Sequence, residues 1–204
     1  MTRPYRNLIE YSNELHRAMQ AVNQNYVDCI TSILLDSRTI YVCGNGGSAA
    51  IAEHLACDCV KGVATDSKND FALNVVSLSS NLPMISAIAN DIGYDEVFSK
   101  QLQWLSWNLK DFGNYASDTL IVISSSGNSS NIIKAIEKAK ERGMNTVAIV
   151  GFDGGKAKEL ANWTIHIPSD NYGIIEDASQ AIMHFMAQEM RRFISNKNPE
   201  DIKY

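Results

Sequence analysis

Apolar residues recur at helical spacing near the start of the chain: Leu8, Ile9, Tyr11, Leu15, Met19, Val22, Tyr26, Ile30 and Leu34. No glycine or proline interrupts residues 5–35, so the pattern predicts one long helical stretch there. The pattern then changes. Short β-branched runs at 40–43, 74–78, 119–123, 146–150 and 164–167 predict five strands, the last one near an edge. Helical patterns lie between and after them. They cover 84–89 behind Pro83, 101–109, 128–142 ahead of Gly143, and 178–194, while 110–115 reads as a loop. Apolar strands separated by helices predict an α/β fold, a mostly parallel five-stranded sheet with helices on both faces.

Composition fits that picture. The chain has 204 residues, 45% of them hydrophobic, which suits one domain with a real core. We divide it into an N-terminal helical segment (1–38), the α/β domain (39–194) and a polar tail (195–204). So long a helix ahead of the first strand has little of its own domain to cover, which points to subunit packing. The net charge of −5 argues against a nucleic-acid partner. No apolar run is long enough for a membrane span, and the first residues lack the apolar core of a signal peptide. A cytoplasmic protein is expected. Cys57 and Cys59 flank Asp58 with one residue between them, unlike zinc or redox motifs, and read as small apolar helix residues.

Two segments carry candidate chemistry. After the first strand comes Gly44-Asn45-Gly46-Gly47-Ser48, followed at once by an alanine-rich helix. Glycines between a strand and a helix let the backbone approach an anion, and the first helical N–H groups point at it. That helix then presents His54 and Asp58, four apart on one face. After the third strand comes Ser124-Ser125-Ser126-Gly127-Asn128-Ser129-Ser130. One or two such side chains suffice to cap a helix. Six hydroxyl or amide residues in seven exceed that need and favour anion binding. A third loop, Gly151 to Lys156, reads as structural. His16, His166 and, on its own sequence context, His184 read as ordinary structural histidines. Glu176 is expected just before the last helix.

The motifs in order resemble a known family: Gly44 to Ser48, His54, Asn90-Asp91, Ser124 to Ser129, Asp153-Gly-Gly-Lys156, and Ile175-Glu-Asp177 with His184. They are similar to the sugar isomerase (SIS) domain, Rossmann-like in fold, and within it to the phosphoheptose isomerases. The resemblance runs from about residue 5 to 194. It implies isomerisation of sedoheptulose 7-phosphate to D-glycero-D-manno-heptose 7-phosphate, by a homotetramer with active sites between subunits. It implies that Asn45, Gly46 and Gly47 contact substrate, that Ser124, Ser125, Ser126 and Ser129 hold its phosphate, and that Asn90 and Asp91 line the sugar site. It implies a catalytic pair, Asp58 as base and His184 as acid. It also implies a divalent metal, zinc, on His54, Asp58, Glu176 and His184, with His54, Asp58 and Glu176 also near substrate.

The chain departs from the family where a glutamate base becomes Asp58 and a glutamine ligand becomes Glu176. Residues 99–118 carry an insertion. Glu176 and His184 are eight apart, about 12 Å along an ideal helix. They meet one ion only if Glu176 lies off the helix or comes from another subunit. The competing reading is a non-catalytic phosphosugar-binding scaffold, similar to the SIS protein that binds the bacterial replication initiator.

Overall fold

The computed structural model describes residues 5, 7–67, 72–106, 117–195 and 200. Five strands form one sheet in the order β2-β1-β3-β4-β5, every neighbouring pair parallel. They are β1 (Ile40–Gly44), β2 (Val75–Ser77), β3 (Thr119–Ser124), β4 (Asn145–Val150) and β5 (Trp163–His166). The expected five-stranded α/β fold is borne out, with β5 at an edge.

Alternation along the strands explains why both faces are covered. Ile40 and Val42 of β1, Ile121 and Ile123 of β3, and Val147 and Ile149 of β4 enter one core. Tyr41, Cys43, Leu120, Val122, Ala148 and Val150 enter the other. Side chains of period two that are apolar on both faces require helices on both sides. On the first face lie α2 (Gln24–Leu35), α3 (Gly47–Cys57) and the long α9 (Tyr172–Ser195), with α1 (Leu8–Gln20) packed outside. On the second lie α5 (Leu82–Asp91), α6 (Ser99–Leu105), α7 (Ser130–Glu141) and α8 (Gly155–Leu160). A short α4 (Val63–Asp66) follows α3 through a π-helical turn, Asp58–Gly62.

The N-terminal stretch is not one helix. It breaks between Gln20 and Gln24, where the Asn23 side chain accepts from the Asn25 N–H at 3.0 Å and starts α2. The apolar stripe also has more to cover than the sequence suggested. Val27, Ile30 and Leu34 are buried in this chain's own core, at 0 to 2% exposure. Within this stretch α1 keeps Leu8, Ile9 and Met19 in the open and α2 keeps Tyr26. Two polar contacts tie the chain before and within α1 to the start of α9: Asn171 donates to the Tyr5 hydroxyl at 2.9 Å, and the Tyr11 hydroxyl donates to Asp177 at 2.6 Å.

The last helix starts earlier than expected, at Tyr172. The Asn171 side chain caps it by accepting from the Gly173 N–H at 2.9 Å. Of the expected helix at 101–109 the structure shows α6. That helix ends at Leu105, with Ser106 extended; residues 107–109, the expected loop at 110–115 and nearly all of the tail lie outside the described residues. No helix among the described residues is long and apolar enough to cross a membrane.

Candidate active site

The strand order reverses between β1 and β3, since β1 leads outward to β2 and β3 leads the other way to β4. In open parallel sheets ligands bind at such a crevice, beyond the carboxyl ends of the strands. Here that crevice is made by the glycine loop after β1 and the serine loop after β3. Together they line a cavity of about 180 Å³, with Asn45, Ser48, Ser124, Ser125, Ser126 and Ser129 on its walls and Tyr172 and Glu176 of α9 closing it.

The serine loop is built to leave donors over. Ser129 is the N-cap residue of α7, yet its side chain makes no capping hydrogen bond. Capping therefore does not account for its hydroxyl, and the α7 N-terminus faces the cavity with its own partial positive charge. The third loop braces this one, as its sequence suggested. Gly151 N donates to Ser125 O, Ala157 N to Gly127 O, and Lys156 N to the Asn128 side chain. Gly127 has a φ of +64°, and a Cβ there would stand 2.0 Å from the Gly154 carbonyl oxygen, so only glycine fits.

The glycine loop is different. Gly46, at φ +56°, starts α3 without a side-chain cap. The anion at this helix N-terminus is the protein's own: the Glu176 carboxylate lies against the bare Cα of Gly47. A carboxylate there is favourable for the helix dipole and repels a second anion. Of the two loops, the serine loop is therefore the better place for an anion.

Farther along the α3–α9 groove lies a second cluster. His54 Nε2 is 3.5 Å from Asp58 Oδ1, and His184 Nε2 is 3.7 Å from Asp58 Oδ2. The two imidazoles stand edge to face with centroids 4.9 Å apart. All three side chains are a third to a half exposed, and each offers a ligand atom within 4.8 Å of the others'. Nitrogen and carboxylate donors of this kind suit zinc, so the donor set fits a divalent ion. Asp58 sits where α3 gives way to the π-turn; such turns interrupt helices at many functional sites.

The structure does not bring Glu176 to this cluster. Glu176 lies inside α9, two turns before His184, about 12 Å along the axis. Gln180 stands between them instead. Its amide nitrogen lies 2.9 Å from His54 Nδ1 and 3.0 Å from His184 Nε2, so both ring nitrogens accept from it. The signal for Gln180 was its spacing: 176, 180 and 184 form an i, i+4 stripe on α9 facing α3.

Asn90 and Asp91 end α5, are exposed, and bond to each other at 2.7 Å; they do not line the serine cavity. Asn45 faces the cavity and is held from behind by Asn131 and Tyr94. His166 has a structural partner, the Phe152 carbonyl at 2.8 Å, as its plain reading implied. Cys59 is buried and its thiol is pushed up to about 12 by burial, so it stays protonated; Cys57, the last residue of α3, is exposed.

A doubly wound sheet whose serine loop and glycine loop meet at the switch point makes a site suited to an anionic ligand, and the chain belongs to the SIS-domain family, whose models match residues 5–151 and 115–188. Its relatives include phosphoheptose isomerases. That of Helicobacter pylori strain P12 is 37% identical over 181 residues, 89% of this chain and 88% of the relative. That of Akkermansia muciniphila is 37% identical, covering 80% and 81%. The solved structure of phosphoheptose isomerase from Neisseria gonorrhoeae superposes with a TM-score of 0.75 at 29% identity, covering 90% of this chain and 96% of that one.

Proposed function

We propose that this protein is a phosphoheptose isomerase that interconverts sedoheptulose 7-phosphate and D-glycero-D-manno-heptose 7-phosphate. The observation that carries the reading is the pairing of Asp58 with His184 at the end of α3 and on α9, the two helices that also border the serine cavity. The substrate's phosphate is on its last carbon and the reaction is at the first two. A site for it must hold the two ends well apart. Glu176 at the cavity and His184 at the cluster are about 12 Å apart along α9, a spacing of the required kind.

In this reading Ser124, Ser125, Ser126 and Ser129 hold the phosphate, with Asn45, Gly46, Gly47 and Glu176 along the sugar; Asn90 and Asp91, outside the serine cavity, would meet only the part of the sugar that extends beyond it. Asp58 removes a proton from the first carbon of the ketose while His184 gives one to the carbonyl oxygen of the second, which yields the enediol. Asp58 then returns its proton to the second carbon as the first hydroxyl gives its own to His184, which yields the aldose and restores both groups. Fixing the phosphate far from this centre limits the motion of the reacting carbons.

His54, Asp58 and His184 would hold a divalent ion, zinc by their chemistry. When bound it would polarise the carbonyl and hydroxyl oxygens as a Lewis acid. Glu176 would join that set only from another subunit, as in a homotetramer with active sites between protomers. The open apolar residues Leu8, Ile9, Phe185 and Phe193 support such an assembly through the N-terminal segment and α9. A phosphorylated substrate, which does not cross a bilayer unaided, supports a cytoplasmic location.

The test is to incubate the purified protein with a panel of ketose and aldose phosphates, with and without a chelator. Interconversion of the heptose pair is the expected result. An inert panel would overturn the reading and favour a phosphosugar-binding scaffold.

A further inference from the structure

We infer that Asn131 is a positioning residue that fixes the Asn45 amide as a hydrogen-bond donor toward the bound sugar phosphate. The inference rests on the reading that Asn45 faces substrate. Asn131 lies in the first turn of α7 and is 1% exposed. A buried amide must have its polar atoms met, and Asn131 meets them almost wholly through Asn45. Its Nδ2 donates to Asn45 Oδ1 at 2.9 Å, and Asn45 Nδ2 donates back to Asn131 Oδ1 at 3.0 Å.

Such a reciprocal pair is self-consistent with both amides turned over, so by itself it fixes no direction. A third contact does. The backbone N–H of Ile132 lies 3.0 Å from Asn131 Oδ1 and can only donate, so the Asn131 oxygen must be there. That places the Asn45 nitrogen opposite this oxygen and the Asn45 oxygen opposite the Asn131 nitrogen. The Tyr94 hydroxyl then donates to Asn45 Oδ1 at 3.0 Å. Both acceptor sites of the Asn45 oxygen are now taken, and one of its two amide hydrogens is used. The remaining N–H is all that the Asn45 side chain offers the cavity. A donor suits the oxygens of a sugar phosphate. The turned-over amide would present an oxygen and repel them.

Lys134, one turn further along α7, bonds to Asp95 and Glu96 in the turn that carries Tyr94. One face of α7 thus sets both partners of Asn45.

The test uses Asn131→Leu, Asn45→Ala and the double variant in the full chain. Two measurements are made: the side-chain amide protons of Asn45 by NMR, without ligand, and KM for sedoheptulose 7-phosphate. In the unaltered protein the Asn45 amide protons should be inequivalent and slow to exchange. In Asn131→Leu they should coalesce or exchange fast, and KM should rise about tenfold, the loss expected for one hydrogen bond. The double variant should be no worse than Asn45→Ala alone. Additive effects on KM, or unaltered Asn45 signals in a folded Asn131→Leu, would overturn the inference. Should Asn131→Leu not fold, Tyr94→Phe serves. It should raise KM by a smaller factor, and by none in the Asn45→Ala background; an equal rise in both would overturn it. A KM unmoved by Asn45→Ala would remove the premise about substrate. The NMR result, which needs no substrate, still decides the positioning.

Discussion

A β-carbon added to Gly47 would stand 2.5 Å from Oε1 of Glu176 and 2.6 Å from its Oε2. The glycine is therefore required by a side chain 129 positions further along the chain, as the two residue numbers show. The atoms in the way are the end of a flexible side chain, so alanine at position 47 moves the carboxylate rather than the backbone. Gly47→Ala should fold with stability within about 1 kcal/mol of the parent, in the range of a helix-terminal surface change. Its KM for the heptose phosphate should nevertheless rise several-fold, because the carboxylate is driven toward the serine cavity. Glu176→Ala should abolish that effect. A double-mutant cycle on KM, with thermal melts of each variant, checks both statements.

Asp58→Asn keeps the shape of the side chain and removes its basicity. It should lower kcat by about a hundredfold or more with little change in KM, the usual size for loss of an acid–base group. His184→Ala should do the same. Full activity of either variant in a coupled isomerase assay would remove that residue from the mechanism.

Zinc should bind with one ion per chain, and equilibrium dialysis followed by elemental analysis reads this directly. His54→Ala and Asp58→Asn should each weaken binding by at least tenfold, since each removes one of three clustered donors. Glu176→Ala should leave the metal affinity of an isolated protomer unchanged, because Glu176 lies two turns away. A loss in the assembled protein alone would show that the ligand comes across a subunit boundary.

The Lys134 clasp predicts a defined pH dependence. Hydrogen bonds from Lys134 hold the Asp95 and Glu96 carboxyls below their ordinary values, and the two carboxylates raise the lysine. A lowered carboxyl contributes stability that is fully present above its unfolded value, about 4, and is lost as pH falls through the folded one. The raised lysine contributes below its unfolded value, about 10.4, and loses that contribution as pH rises through the folded one. Lys134→Met should therefore lower Tm across the neutral range. The gap from the parent should close below pH 4 and above pH 10.5. Tm measured against pH in low salt shows whether it does.

The strands and both cores could be read from the sequence because their signal is local: β-branched runs of period two, punctuated by glycine. The features that escaped were set by single polar side chains. Asn23 breaks the N-terminal helix without any glycine or proline, and the apolar stripe runs straight across the break. Asn171 caps α9 ahead of Gly173, so the helix begins six residues before the expected start. That shift puts Glu176 on the face turned to Gly47 and leaves Gln180, not Glu176, between the histidines. Asn131 gave no signal at all, because its role is defined by a partner 86 positions away. Asp58, His54 and His184 were legible from motif order, yet only the fold shows that they meet.

The placement of α9 has a consequence for synthesis. Strands, glycine loop and serine loop are all encoded before residue 167, whereas Glu176, Gln180 and His184 are supplied by the last long helix. A chain emerging from the ribosome in N-to-C order carries all its strands before it owns the proposed proton donor or the full set of proposed metal donors. The proposed chemistry would therefore begin only with the closing element. A chain clipped before α9 would lose, along with Gln180 and His184, the apolar face that covers one side of the sheet and the two residues that close the serine cavity.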